Sequence, residues 1–471
     1  MRALGLFLAA LVVIGLASCS FTTAGKFEEC KTDFDCGAAT ACTEGYCLTL
    51  PAGCRREEAG GTTRAFEQPA RIPLVALLPI KASSGMPDDS ETQSANAIKL
   101  AISEANDRLN ATRGFFGLFV CDTDATIDGG GLELQATWFI ENLKVPALIV
   151  SSSGPTQKVA QLGARLDAGT LVISPNATSP ELTISFTQTG NVWRIPPTDV
   201  NQARVVVDLV ARDFPDAGVL IDVLHAKGTY GAGFANPLAE QLIARGFRAT
   251  LRPFDPNDAE TQNKAVTDVS NDGPAGTVLI GNTTVMVPII EKAKTFGNLK
   301  RGSGHRWYLT DSMKEQTLLT PSTLLELDLS QGTAPAQGAG TAYPTFRDGF
   351  RTRYGTDPES TNYTSHSYDA TWLVMLAAQF AEGAATPDRT RVTGAKLGEG
   401  LVKLSLSTGP AIPLRADKWA ELSDALARGT PTNVEGASGH LDFDLDAGAP
   451  SAPYEVWQVR DGGIHVVRTV P

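Results

Sequence analysis

Several marks of enzymatic and nucleic-acid chemistry are missing from this chain of 471 residues. No Gly-x-Ser-x-Gly elbow occurs and no Gly-x-x-x-x-Gly-Lys loop follows a strand, so neither a serine hydrolase nor a phosphate-cradling nucleotidase is signalled. Histidine is scarce, and His225, His305, His366, His440 and His465 lack the short spacings that present two ligands to one metal. Basic residues do not dominate. Lys and Arg total 40 against 52 Asp and Glu, and the net charge of -12 is opposite to what a nucleic acid or an anionic membrane surface rewards. Gly129-Gly130-Gly131, between a strand and a helix, reads as a loop, not a phosphate cradle. Asp442, Asp444 and Asp446 resemble a calcium loop but alternate within a strand-like Phe-Asp-Leu-Asp stretch. The expectation is a chain with no enzymatic activity, no cofactor, no metal and no nucleic-acid partner.

What is present begins at the N-terminus. Met1-Arg2-Ala3 precedes an apolar run from Leu4 to Leu16, which is followed by Ala17-Ser18-Cys19. The run is shorter than the ~20 residues that span a bilayer and ends in small residues before a cysteine. This is the pattern of a bacterial lipoprotein signal: residues 1–18 are removed and Cys19 is lipidated, which anchors the chain outside the cytoplasm. Ser20 is not the Asp that retains lipoproteins in the inner membrane of enteric bacteria, so the expected location is the cell envelope, with the outer membrane open to it.

The remaining cysteines fit that compartment, where disulfides persist. Cys30, Cys36, Cys42, Cys47, Cys54 and Cys121 are even in number, and no Cys-x-x-Cys pair favours zinc. Five lie in a stretch with too few large apolar residues to build a core unaided. Five cannot close among themselves, so one is expected to reach Cys121; Cys54, nearest the globular region, is the expected partner. Residues 19–70 are read as a Cys-rich module and linker, with Arg55 to Gln68 as the linker.

With 42% hydrophobic and 20% charged residues, the rest reads as globular and multidomain. From Arg71 short apolar runs alternate with helical periodicity, the signature of an α/β protein with parallel sheets. Strands are expected at 72–79, 117–122, 147–150, 171–174, 217–224, 249–253, 276–280 and 307–310. Helices are expected at 95–109, 132–142 and 154–166, and the segment 81–94 reads as a polar loop. Ligands of such sheets settle at the carboxyl ends of strands. Ser151, Thr178, Tyr230 and Asp311 fall at or just beyond such ends.

These segments carry a resemblance. VALLPI followed by a helix with AISEAN, the CDT at Cys121 to Thr123, SSS at Ser151 to Ser153, ISPNATSPELT at Ile173 to Thr183 and VWRIPPTDVNQAR at Val192 to Arg204 come first. TYGAGF, FRDGFRTRYGTDP, SYDATWL and SGHLDFDLDAG follow in order. From about Arg71 to the C-terminus the chain resembles type I periplasmic binding proteins, in the branch of leucine/isoleucine/valine-binding proteins of ABC importers. The resemblance implies two lobes, each a parallel sheet flanked by helices, joined by three crossings and closing on a ligand. Lobe one is mapped to 71–196 and 338–388, lobe two to 197–337 and 389–471, and the acidic string at 442–446 to the family's C-terminal hairpin.

The resemblance also implies site roles. Ser151 and Thr178, with Ser152 and Ser153 beside them, match positions that hold a ligand carboxylate, although serines there also serve as plain helix caps. Asn176 stands where a small residue is usual and adds an amide. Tyr230 matches a ring that covers the ligand. Asp311 matches the acidic partner of an ammonium group, with Ser312 the alternative one position on. Gly281-Asn282-Thr283-Thr284 replaces an expected aromatic residue, so the pocket is expected to be more polar or larger than one shaped for leucine. The implied function is capture of a small polar ligand, an amino acid, amide or urea-like molecule, for an ABC permease. A ligand sensor or envelope scaffold is the alternative, raised by the Cys-rich module.

Overall fold

The computed structural model describes residues 28–57, 63–68, 71–81, 88–109, 115–123, 131–166, 168–186, 190–384, 388–405 and 408–471. Cys19 and the apolar segment before it lie outside these. Near the N-terminus, strands Thr40–Thr43 and Tyr46–Thr49 form a hairpin. Its two-residue turn, Glu44-Gly45, has φ of 51° and 89°, the left-handed turn that matches the twist of paired strands. Cys30–Cys42 and Cys36–Cys47 staple the hairpin, and Cys54–Cys121 ties it to the larger body. The sulfurs of Cys30, Cys36 and Cys47 lie together, but each is in a disulfide and offers no thiolate to a metal.

The module is not hung on a loose tether. Strand β1 (Cys54–Arg56) adds antiparallel to the first large sheet, with Cys54 opposite Cys121, so the start of the expected linker is sheet. Asp33, fully buried, is paired with Arg71 at 2.5 Å and its backbone carbonyl accepts from Arg56.

The two lobes follow from the chain order. Strand β2 (Ile72–Leu78), helix α1 (Asp89–Asn106), β3 (Phe116–Asp122), β4 (Ala147–Val150), α2 (Ser153–Arg165), β5 (Leu171–Ser174) and β6 (Val192–Arg194) build lobe one. Its sheet runs β1-β3-β2-β4-β5-β6, parallel except for β1. The runs Ile72–Leu78, Phe116–Asp122 and Ala147–Val150 are buried almost throughout because helices cover both faces. After the first crossing, α3 (Asp199–Asp213), β7 (Leu220–Ala226), α4 (Thr229–Ala244), β8 (Arg248–Phe254), β9 (Gly276–Ile280), α5 (Thr283–Ala293), β10 (Arg306–Leu309) and β11 (Gln331–Pro335) build lobe two. The chain then returns to lobe one as α6 (Thr364–Glu382), α7 (Gly394–Leu404) and α8 (Trp419–Ala427). Finally β12 (Tyr454–Arg460) and β13 (Gly463–Val470) extend the second sheet to β8-β7-β9-β10-β11-β12-β13.

Two expectations are corrected here. Leu397, Leu401, Trp419, Leu422, Leu426 and Phe443 pack in the core of lobe one, so 389–450 belongs there and not to lobe two. The apolar stripes of α7 and α8 find the buried helix α6, whose Trp372 is wholly enclosed. The third crossing therefore lies at 451–453, between the short pairing of Phe443-Asp444 with Ala449-Pro450 and β12. The second correction is that helix α1 starts at Asp89, six residues before the expected 95, with Asp88 as its cap: the Asp88 carboxylate accepts from the Glu91 amide at 3.0 Å. The last six residues of the expected polar loop, 89–94, are thus helix. Among the described residues no helix is long and apolar enough to cross a membrane.

Candidate functional site

Parallel strands end on the same side of a sheet, so the loops after β2, β4, β5, β7, β9 and β10 all open toward the space between the lobes. That space is a cleft of about 350 Å³, at the small end of ligand pockets. Lobe one contributes the loop and first turn after β2, the serines after β4 and Asn176 after β5; lobe two contributes Tyr230, Asp311 and their neighbours. Strained backbone gathers at it. Ser152 and Tyr363, both on the wall, have φ of 69° and 63°, a region that side-chain-bearing residues enter at a cost of about 1–3 kcal/mol. Gly231 is obligatory, since a Cβ there would stand 1.9 Å from the Ala226 carbonyl oxygen.

The expected carboxylate cradle is occupied by the protein itself. Ser151 is fully buried, and its hydroxyl donates to Glu91. Asn176 donates to Ser151 Oγ at 2.8 Å and to Glu91 Oε1 at 3.4 Å, and its carbonyl accepts from the Ser152 amide at 2.6 Å. Ser153 Oγ accepts from the amides of Thr178 and Ser179, each at 3.2 Å. The amides of Ser152, Thr178 and Ser179 are thereby used, while the first turn of α2 at Ser153 and Gly154 has no side-chain cap. Ser152, Ser153 and Asn176 face the cleft, while Ser151 and Thr178 lie behind its wall, Thr178 beside the buried Asp199.

On the lobe-two side, Asp311 and Tyr230 are brought together as a network. Asp311 accepts from the hydroxyls of Tyr230 at 2.8 Å and Tyr363 at 2.5 Å and from the Gln202 amide at 3.1 Å. Asn362 donates to its backbone carbonyl at 3.1 Å. Burial still pushes the Asp311 carboxyl above its ordinary value despite these donors, and Asp199 nearby is raised by burial and by the Asp311 charge. Ser312 also faces the cleft, donating to the Gly281 carbonyl at 2.8 Å. The lobes touch at the mouth, where Ser179 donates to the Thr229 carbonyl and Thr229 to Gln157, at 2.9 and 2.7 Å.

The sequence reading missed three carboxylates. Asp88 and Glu91 sit at the start of α1, and Glu315 follows Asp311 by one short turn; all three line the cleft. Burial and the neighbouring Asp88 charge raise Glu91 to about 8, and the same two causes raise Glu315 to about 7. The one available signal was Asp88-Asp89-Ser90-Glu91, an Asp-x-x-Glu start that marks a helix N-terminus without showing where the Glu side chain goes.

Comparison with known proteins agrees with this architecture. The family model described as the receptor family ligand binding region matches residues 93–462. The Thermotoga maritima leucine-binding protein LivK superposes with a TM-score of 0.65 at 14% identity, covering 85% of this chain and 98% of that one. The Streptococcus pneumoniae branched-chain amino acid transporter substrate-binding protein LivJ, in complex with isoleucine, gives 0.61 at 17% identity, with 85% and 99% covered. A Rhodopseudomonas palustris ABC-transporter solute-binding protein in complex with benzoate gives 0.59 at 13%, with 85% and 97% covered. In sequence, the chemotactic signal transduction system substrate-binding protein BasB of Halobacterium salinarum is 24% identical over 296 residues, 62% of this chain and 65% of that protein; the match spans less than two thirds of that relative. The two mainly parallel sheets, the cleft at their carboxyl ends and the family match over 93–462 place this chain in the receptor ligand-binding-region family, with the fold of the type I periplasmic binding proteins.

Proposed function

We propose that this chain is an extracytoplasmic solute-binding protein that captures a small polar molecule between its lobes and delivers it to an ABC permease, held at the membrane by lipid on Cys19. The observation that carries the reading is the cleft: both lobes line it, three chain crossings flank it, and its polar groups converge from separate strand ends. Structural relatives that bind isoleucine and benzoate support a small-molecule ligand.

A second reading, a receptor that reports its ligand to a signalling partner, is favoured by the chemotactic relative and by the disulfide-stapled hairpin fused to the sheet edge of lobe one, a surface available to a partner in either case. The test of solute binding is thermal unfolding against a panel of amino acids, amides, amines and aromatic acids. A ligand at 100 times its dissociation constant raises stability by about 2.7 kcal/mol. A panel without any stabilising member counts against the proposal.

A further inference from the structure

The cleft is lined by carboxyl groups of its own, although the isoleucine and benzoate bound by structural relatives each bring a carboxylate. Asp88, Glu91, Asp311 and Glu315 line it, and among the described residues the sole basic side chain on its wall is Lys227, exposed at the rim. Where a ligand carboxylate is expected, Glu91 already accepts from Ser151 and Asn176. The protein has supplied its own carboxyl group, which ionises when a cation displaces its proton.

That carboxyl group is incompletely satisfied. Glu91 is 6% exposed, yet its second oxygen, Oε2, has no hydrogen-bond partner. Asn362, 2% exposed and on the same wall, likewise has its carbonyl oxygen Oδ1 unpartnered. Asn362 Oδ1 is an acceptor, and so is Glu91 Oε2 once the carboxyl ionises, so in that state both lack a donor. Ionising a buried carboxyl without a donor is costly, and a cation that enters with its own N–H groups offsets the cost.

We propose that the ligand of this cleft is an organic cation, an amine or guanidinium compound that needs no carboxylate, with its charged group donating to Glu91 between Asp88 and Glu315. The proposal rests on the solute-binding reading and deepens it. A bare metal ion fits less well, because no three carboxylates among the described residues bring oxygens within 4.8 Å of one another, whereas a chain of methylenes can span separated charges. Tyr230, Tyr363, Pro155, Pro256 and Val285 supply the apolar and aromatic wall for such a chain, and an aromatic face attracts an ammonium group. Glu91 faces Asp88 on its own helix, Ser151 and Asn176 from the neighbouring strand ends, and Glu315 from the other lobe. Its raised pKa, about 8 in the empty cleft, means that a cation bound at pH 7 displaces a proton.

The experiment is isothermal calorimetry of the disulfide-intact protein with 1,4-diaminobutane and agmatine as cationic probes, leucine and benzoate as carboxylate probes, and calcium chloride. The expected result is binding of at least one cationic probe, with heats that depend on buffer ionisation enthalpy because a proton is released. Glu91→Gln and, on the opposite lobe, Glu315→Gln should each weaken it roughly ten- to a hundredfold, as loss of a charged hydrogen bond does. The side-chain amide introduced by Glu91→Gln retains an acceptor for Ser151, so the fold is kept; circular dichroism checks it. If leucine or benzoate binds and neither cation does, the assignment is overturned while solute binding stands. Binding of calcium alone, or cation binding equally tight in both variants, also overturns it. If no probe in the wider panel binds either, both readings fall.

Discussion

Replacing Glu91 by Gln in the empty protein should make stability less dependent on pH, by an amount that follows from where the carboxyl sits. In the unfolded chain Glu91 titrates near its ordinary 4.5, and in the fold burial and the Asp88 charge hold it near 8. The folded state therefore grips the proton more tightly. The associated stabilisation is fully present below 4.5 and is lost as pH rises through 8. Between pH 5.5 and 8, with one pK unit worth ~1.36 kcal/mol, the wild-type protein should lose about 3 kcal/mol through this group. Glu104, Glu315 and Asp369, each raised to about 7 chiefly by burial, add a decline that both proteins share. The measurement is urea unfolding of wild type and variant at several pH values without ligand. The wild-type curve should fall by about 3 kcal/mol more than that of Glu91→Gln across this window. Parallel curves would refute the reasoning, since they would mean that Glu91 is solvated and ionised well below pH 8.

Three further predictions test other parts of the structure. Cys54 and Cys121 close a loop of 67 residues; replacing both with Ala should cost about 4 kcal/mol by loop entropy, measured by denaturant unfolding under non-reducing conditions. Gly436→Ala places a Cβ 2.2 Å from Asp369 Oδ2, where Asp369 accepts from the amides of Ala437 and Ser438 and from the Ser438 hydroxyl; a loss of about 2–4 kcal/mol in unfolding free energy is expected, because overpacking and a broken buried network combine. Cys19→Ala should move the protein from the membrane to the soluble fraction on cell lysis, and retention of the processed variant in the membrane would count against lipid anchoring.

Some parts of this molecule were legible because one local signal decides them. Ile72–Leu78 and Ala147–Val150 are unbroken apolar runs ended by polar turns, and a strand buried on both faces leaves no other pattern. From such strands the ends where Asn176, Tyr230 and Asp311 meet the cleft follow by topology. The return of α7 and α8 to lobe one was not legible, because an amphipathic stripe shows that a helix covers something and not which sheet it covers. Antiparallel β13 escaped for a related reason: it is half exposed along its length and carries no buried-strand signature.

The site divides along the same line. A residue at a strand end is placed by its own element, but the role of Glu91 depends on Ser151 and Asn176, 60 and 85 positions away. Nothing within Asp88-Asp89-Ser90-Glu91 separates a carboxylate that helps cap its own helix from one that turns into a ligand's place. Likewise Asn176 looked like an added amide beside a carboxylate cradle, and its actual partners are a serine amide and a buried glutamate. A substitution of one residue type at a strand end can therefore coincide with a different set of polar partners at the cleft, while every strand and helix that family resemblance detects stays the same. Fold similarity carries the location of the cleft across such distances, and the side chains that line it, not the fold, set the ligand chemistry it suits.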